Sequence, residues 1–314
     1  MSAGHSVKAV DNLSTGNKEN VAHLSGQKNF GLLIGTVCNQ EFMRPSVKWA
    51  DRVYHLAAPV GVKLIMQQPV ATILDNLRGI DVIMELAQLY RKKIFIASTS
   101  EVYGKSMDFA ISDSPGALKE TDYRVIGNAW NHRWAYANSK SMDEFLGLAY
   151  FKEFKLPVVI GRFFNTVGPR QTHEYGMVVP GFIQSALKGE PIMVYGDGNQ
   201  SRTFLHVKDC VNAVTRLMDT PAAEGDIFNI GNPEEITILN LAKKVKALTG
   251  SASEIRFTSY EQAYGSGFED MNRRTPDISK LKKTIGFDLQ YDLEGILKDV
   301  IVYCRKLIPA QEKQ

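Results

Sequence analysis

Short apolar runs that do not alternate, separated by longer amphipathic stretches, set the plan of this chain. Ser6–Val10, Phe30–Ile34, Arg52–Ala57, Lys93–Ala97 and Leu156–Ile160 are strand candidates. Runs of this kind suit strands buried on both faces, as in a parallel sheet with helices packed on each side. Between them the spacing predicts a long helix from about Gln67 to Tyr90 and a second, about His132 to Phe154, that carries Tyr136. Thr237 has the character of an N-cap, with Leu241, Val245 and Leu248 on one helical face and Gly250 closing that helix. Thr275-Pro276 reads as the opening of a further helix that ends at Gly286. The expected fold class is α/β: a doubly wound parallel sheet with a smaller α/β unit beside it. The chain shows no internal repeat, low-complexity tract or flexible linker.

Composition narrows the function more than the fold. With 314 residues, 44% hydrophobic and 23% charged, the chain has ample core for one large α/β unit or two interleaved domains. A net charge of +3 without a Lys/Arg block gives no reason to expect nucleic acid or a membrane surface. Cys38, Cys210 and Cys304 lie far apart, and the six histidines form no ligand array, so no metal is expected. The cysteines read as reduced thiols of a cytoplasmic protein. There is no signal peptide, and no apolar run is long enough to span a bilayer.

The candidate chemistry sits where the Lys93–Ala97 strand runs out, in Ser98-Thr99-Ser100-Glu101-Val102-Tyr103-Gly104, followed by Tyr136-x-x-x-Lys140. Four residues apart in a helix, Tyr136 and Lys140 share a face. A phenol is a poor base at neutral pH because its pKa is about 10. A neighbouring ammonium stabilises the phenolate, and a hydroxyl such as that of Thr99 can relay the proton. As a lone pair this spacing means little. Its weight comes from the strand-end hydroxyl cluster one loop earlier.

From Gly4 to Arg305 the chain resembles the extended short-chain dehydrogenase/reductases that act as nucleotide-sugar epimerases, dehydratases and decarboxylases. Asp11-Asn12-Leu13-Ser14-Thr15-Gly16 resembles the segment after the family's second strand, whose acidic residue binds the adenosine ribose. An Asp there suits NAD over NADP, since it repels a 2′-phosphate. His55-Leu56-Ala57-Ala58 resembles the strand end lying against the cofactor, and Asn76 matches an Asn of the following helix. Thr99, Tyr136 and Lys140 match the catalytic hydroxyl, Tyr and Lys. On the sugar-nucleotide side, Asn165 and Arg170 stand in Arg162-Phe163-Phe164-Asn165-x-x-Gly168-Pro169-Arg170, with Val179 following. Tyr195-Gly196-Asp197-Gly198, Arg202 and Arg274 complete that set, the two arginines suiting a diphosphate through forked hydrogen bonds. The resemblance implies NAD as cofactor, a UDP-sugar as substrate, and a homodimer through helices about 67–90 and 132–154. It also implies two units: residues 1–165, joined by about 201–231, for NAD, and 166–200 with 232–314 for the nucleotide sugar.

Two departures matter. The family opens with a strand and a Gly-x-x-Gly-x-x-Gly turn that cradles the cofactor pyrophosphate. This sequence starts where the family's second strand would, as a truncated relative or one read from a downstream start. In the order 3-2-1-4-5-6 the missing strand lies between the second and fourth, so both are expected to lose an inner partner. Thr36 also replaces an Asp usual near the adenine.

The resemblance implies that Tyr136 takes the proton of the sugar 4-hydroxyl as hydride leaves C4. The 4-keto sugar then epimerises, dehydrates or, as a 4-keto uronate, loses carbon dioxide. Ser100-Glu101 stands where the dehydratases use an Asp-Glu pair, which disfavours dehydration. Glu101, together with Arg274 and Gly231-Asn232-Pro233-Glu234-Glu235-x-Thr237-Ile238, looks more like the UDP-glucuronate decarboxylases. Decarboxylation is therefore expected over 4-epimerisation of UDP-glucose or UDP-glucuronate. A non-catalytic binder or dimerising relative remains the alternative of another class.

Overall fold

The structure is a computed structural model that describes residues 1, 3–109, 116–173, 177–264 and 270–308. In chain order, β1 (Val7–Asp11), β2 (Phe30–Ile34), α1 (Gln40–Trp49) and β3 (Arg52–His55) lead to α2 (Val62–Gln67) and α3 (Pro69–Leu89). Then come β4 (Lys93–Thr99), α4 (Arg133–Phe154), β5 (Val158–Phe163), β6 (Thr166–Val167), α5 (Val178–Lys188) and β7 (Ile192–Tyr195). The remainder runs β8 (Ser201–Thr203), β9 (Leu205–His206), α6 (Val207–Asp219), β10 (Asp226–Ile230), β11 (Glu235–Thr237) and α7 (Ile238–Thr249). Last are β12 (Ile255–Thr258), α8 (Tyr260–Tyr264), α9 (Ser279–Ile285) and α10 (Leu293–Leu307).

A four-stranded parallel sheet of order β10-β5-β4-β3 forms the centre. Its middle strands read Ile94-Phe95-Ile96 and Val158-Val159-Ile160, all fully buried. The lack of alternation thus has its expected cause: helices cover both faces, α3 and α4 on one and α6 and α9 on the other. A separate apolar core gathers α5, α7 and α10 around β7, from Val179 and Ile183 to Leu241, Val245, Ile296 and Leu297. There β7 pairs in parallel with β12, and β8 runs antiparallel to β11.

Among the described residues the parallel strands are interrupted between β1 and β3. β1 and β2 form a parallel pair of their own, and among the described residues β1 does not hydrogen-bond to β3. Apolar side chains along these elements, Val7, Ile34, Tyr54 and Leu56, are exposed. Val10 of β1 packs against the cluster in which Met43 and Val47 of α1 are buried with Ile80, Ile83 and Met84 of α3.

Two boundaries differ from the sequence expectation. The helix expected from about Gln67 starts at Pro69, which lacks the N–H that would continue the preceding α2 and instead opens α3 at its first turn. The helix expected to open at Thr275-Pro276 starts at Ser279 instead. Its leading residues are extended: Leu118 N–H donates to Thr275 O and Asp277 N–H to Leu118 O, both at 2.8 Å. The caps at Thr237 and Gly250 stand as expected, Thr237 Oγ1 accepting from Asn240 N–H and Gly250 taking the left-handed conformation.

Candidate active site

The end of β4 makes the first half of the site. Thr99 caps a single 3-10 turn, Ser100–Tyr103, its hydroxyl accepting from Glu101 N–H at 3.2 Å. Gly104 then turns the chain at φ 57°, where any Cβ would collide with the Val125 carbonyl. This turn aims Glu101 into the molecule, while Ser98 points the other way and donates to Glu144 Oε1 at 2.5 Å. Glu144 is itself gripped by Arg162, at 2.8 and 2.9 Å, and by Arg124 at 2.6 Å. This buried network fixes α4 against β4 and β5 from beneath the site.

α4 makes the second half. It lies close on the sheet because Gly147 leaves room for Ile96, Val158 and Ile160. Tyr136 and Lys140 therefore face the strand end, one turn apart. The Lys140 ammonium is buried, 2.5 Å from Asp143 Oδ2. Burial raises the Tyr136 phenol well above its ordinary value, and the charges of Glu101 and Asp143 push the same way. A polar contact from the Thr99 hydroxyl and the charge of Arg274 oppose them. His55, at the end of β3, is buried and held neutral, pushed down to about 3 by burial and by the Lys140 charge.

Around Glu101 lies a cluster that the sequence reading only half anticipated. Arg274 forms an ion pair with Glu101 Oε1, and its Nη2 donates to Asn165 Oδ1 at 2.9 Å. Arg133, three residues before Tyr136, reaches Glu101 Oε2 at 3.3 Å and Asp270 Oδ1 at 2.9 Å. Arg202 meets Asp270 Oδ2 at 2.7 Å. Burial alone would raise Glu101, but Arg133 and Arg274 outweigh it and hold its carboxyl at about 2. Three guanidinium groups against two carboxylates leave this enclosed cluster one positive charge in excess, an arrangement suited to an anionic ligand.

Thr99, Glu101, Tyr136, Arg202 and Arg274 are thus brought together, with Lys140 behind Tyr136 and Asn165 beside Arg274. Other expected residues lie apart from this cluster. Arg170 adopts φ 73° and donates to Asn20 O at 2.9 Å, near the β1–β2 pair. Val179 is fully buried in the apolar core of α5. Tyr195 is exposed at the end of β7. Arg133, Asp143 and Asp270 were not anticipated. Helical spacing alone puts Arg133 and Asp143 on the face of Tyr136 and Lys140, a signal that was available.

The residues expected for NAD fit it at both ends. Asp11 Oδ1 accepts from Leu13 N–H, and Gly16 packs so close that a Cβ would press on the same carboxylate, which stays exposed. Asn12 Oδ1 accepts from Ser14 N–H in the same turn, with Thr15 next to it. At the other end, Asn76 donates to Ser139 Oγ at 3.2 Å, but its Oδ1 and Thr72 Oγ1 are buried without a partner. Buried polar oxygens left open in this way suit a bound polar group. Leu56, Ala57 and Ala58 follow β3 directly in the chain. No described Gly-rich turn matches the pyrophosphate between the two ends.

Comparison with known proteins agrees with this geometry. A family model described as GDP-mannose 4,6 dehydratase matches residues 1–300. The UDP-N-acetyl-alpha-D-glucosaminuronate decarboxylase of Bacillus cytotoxicus is 37% identical over 97% of this chain and 91% of its own length. UDP-glucuronic acid decarboxylase 1 of Xenopus tropicalis is 36% identical, covering 99% of this chain and 69% of the relative. Among solved structures, the UDP-glucose 4-epimerase of Thermotoga maritima superposes with a TM-score of 0.86 at 26% identity, over 98% of this chain and 93% of that one. The chain belongs to the GDP-mannose 4,6 dehydratase family, within the extended short-chain dehydrogenase/reductases that act on nucleotide sugars.

Proposed function

We propose that this protein is an NAD-dependent enzyme that decarboxylates a UDP-linked uronate through a 4-keto intermediate. The observation that carries this reading is Glu101, ionised and clamped between Arg133 and Arg274 beside the Tyr136–Thr99 pair. The names of the relatives, decarboxylases of two UDP-uronates, support it.

NAD, when bound, supplies the hydride acceptor and donor at C4. In this reading residues 1–165 with about 201–231 hold it, Asp11 on the adenosine ribose and Lys140 with Asn76 on the nicotinamide side. Residues 166–200 and 232–314 hold the nucleotide sugar. Tyr136 takes the O4 proton, and Thr99 steadies that oxygen by hydrogen bonding. Arg202, Arg274 and Asn165 hold the anionic groups of the ligand. A 4-keto uronate is a β-keto acid, so its C5–C6 bond breaks with the electrons passing to O4 as an enolate. With its pKa held at about 2, Glu101 is ionised at working pH and does not donate the proton that the enolate needs. Its charge beside the uronate carboxylate instead disfavours the charged ground state relative to departing carbon dioxide.

The same reading places a second copy across α3 and α4, where Leu74, Leu77, Met142 and Phe145 are exposed. It also places the protein in the cytoplasm, where Cys38, Cys210 and Cys304 stay as thiols. Among the described residues no helix is long and apolar enough to cross a membrane.

The test is turnover of UDP-glucuronate and UDP-N-acetylglucosaminuronate with NAD, followed by carbon dioxide release and NMR of the sugar product. Glu101→Gln should still reduce NAD in a single turnover while carbon dioxide release falls by about two orders of magnitude or more. Release at the parent rate, or a 4-epimer as the only product, would remove the decarboxylase reading.

A further inference from the structure

Lys140 is held in a way that its expected role does not require. The Lys140 and Asp143 side chains are 2% and 1% exposed, and the ammonium lies 2.5 Å from the carboxylate, three residues along α4. Asp143 Oδ2 makes that contact; Oδ1 is buried with no hydrogen-bond partner. A carboxylate left half-satisfied in a protein interior is costly unless the charge it faces compensates. Lys140 is that charge. An ammonium has three protons, and one is committed to Asp143, which leaves two for other acceptors.

Other groups face the same pair from the neighbouring elements. His55 approaches Lys140 from β3 and is neutral. Glu101 and Arg274, from the 3-10 turn and the 270s loop, act on Tyr136 in opposite directions. α3 turns neutral Asn76 and Thr72 inward while its own charged residues, Asp75, Arg78, Asp81 and Glu85, are exposed. The described side chains of α2, Ile65, Met66 and Gln67, carry no charge. Asp143 is therefore the carboxylate that meets Lys140 directly. The ordinary logic of this catalytic pair has Lys140 stabilising the phenolate by its positive charge, and a carboxylate in contact with the ammonium works against it.

We propose that Asp143 is a positioning residue for Lys140: its carboxylate anchors one ammonium proton and offsets part of the positive charge that Tyr136 meets, which sets the pH at which Tyr136 ionises. The effect on catalysis rests on Tyr136 acting as the base, as above; the ionisation itself does not. The direction agrees with the charge of Asp143 adding to that of Glu101 in opposing the phenolate.

The deciding measurement needs neither NAD nor sugar. A fluorotyrosine placed at position 136 is followed by fluorine NMR across a pH series, in the parent and in Asp143→Asn. The midpoint is expected to fall by about one pH unit in Asp143→Asn, the usual size of one nearby charge, and to stay at the parent value in Asp143→Glu. Asp143→Ser, which leaves room for water beside the ammonium, carries the same expectation should the Asn variant not fold. An unmoved midpoint in a folded variant overturns the proposal, even if activity is lost, because a merely structural contact would give that result. In turnover, the acid limb of kcat should shift to lower pH by a similar amount, with KM for the nucleotide sugar little changed. A shifted midpoint in a protein that turns over no uronate supports the inference and sinks the proposed function instead.

Discussion

At the scale of single residues, Glu101 links the chemistry to stability. Its carboxyl falls from the ordinary 4.5 to about 2 because Arg133 and Arg274 outweigh the cost of burying it. A folded-state pKa below the unfolded one means that the stabilisation is present above the unfolded value and lost as pH falls toward the folded one. The shift corresponds to something on the order of 3 kcal/mol. Unfolding free energy, measured by denaturant titration, should therefore drop as pH is lowered from about 5 to about 2. In Glu101→Gln the stability at neutral pH should be lower by a similar amount, since buried Arg274 loses its carboxylate and Arg133 keeps only Asp270, and the acid slope should flatten. An unchanged acid slope in that variant would show that other carboxylates dominate acid unfolding.

At the scale of elements, the site depends on how closely α4 lies on the sheet. Gly147 is seven residues beyond Lys140 on the same helical face, and a Cβ there would sit 2.8 Å from Ile96 Cδ1 and 3.2 Å from Val158 Cγ1 and Ile160 Cδ1. Gly147→Val must lift the helix or shift three core side chains. Overpacking of this kind costs about 1–3 kcal/mol. A displacement near 1 Å at Tyr136 would slow the chemical step by up to about a hundredfold. The expected result is a lower Tm and a lower kcat, with KM for the nucleotide sugar close to the parent; an unaltered kcat would show that Tyr136 is placed by the strand-end turn alone. Element boundaries also show which signals a sequence carries. The caps at Thr237, Gly250 and Gly286 were legible because their hydrogen bonds are made within a few residues of the cap itself. The true start of α9 was not, because Leu118, far away in the chain, pairs with Thr275–Asp277 and holds them extended. In the site, Tyr136 and Lys140 stood out by spacing and by the strand-end hydroxyl cluster, and Glu101 through the family resemblance. Asp270 did not, since its partner Arg133 lies 137 residues away and no local pattern connects them.

At the scale of the whole molecule, the two ligand sites stand in different states of assembly. The arginine cluster draws on four separated segments: the 3-10 turn after β4, the start of α4, β8 and the loop before α9. These are buried and mutually bonded before any ligand arrives, so little ordering cost remains for a sugar nucleotide to meet. The residues proposed for the cofactor instead span the break between the β1–β2 pair and the main sheet, with Asp11 on one side and His55, Asn76 and Lys140 on the other. Among the described residues those two sides meet through side-chain packing at α1 and not through a backbone ladder, so part of the cost of fixing them relative to each other should fall on NAD. A ligand that binds only the folded state stabilises it by about 2.7 kcal/mol at a hundredfold excess over its Kd. The chain of residues 1–314 should accordingly gain more in Tm from UDP than from NAD at equal concentration, and the NAD effect should grow when UDP is already bound. Equal shifts from either ligand alone would mean that groups other than a Gly-rich turn hold the pyrophosphate. A shift from NAD and none from UDP would instead show that Arg202 and Arg274 are committed to Asp270 and Glu101 too firmly to serve a diphosphate.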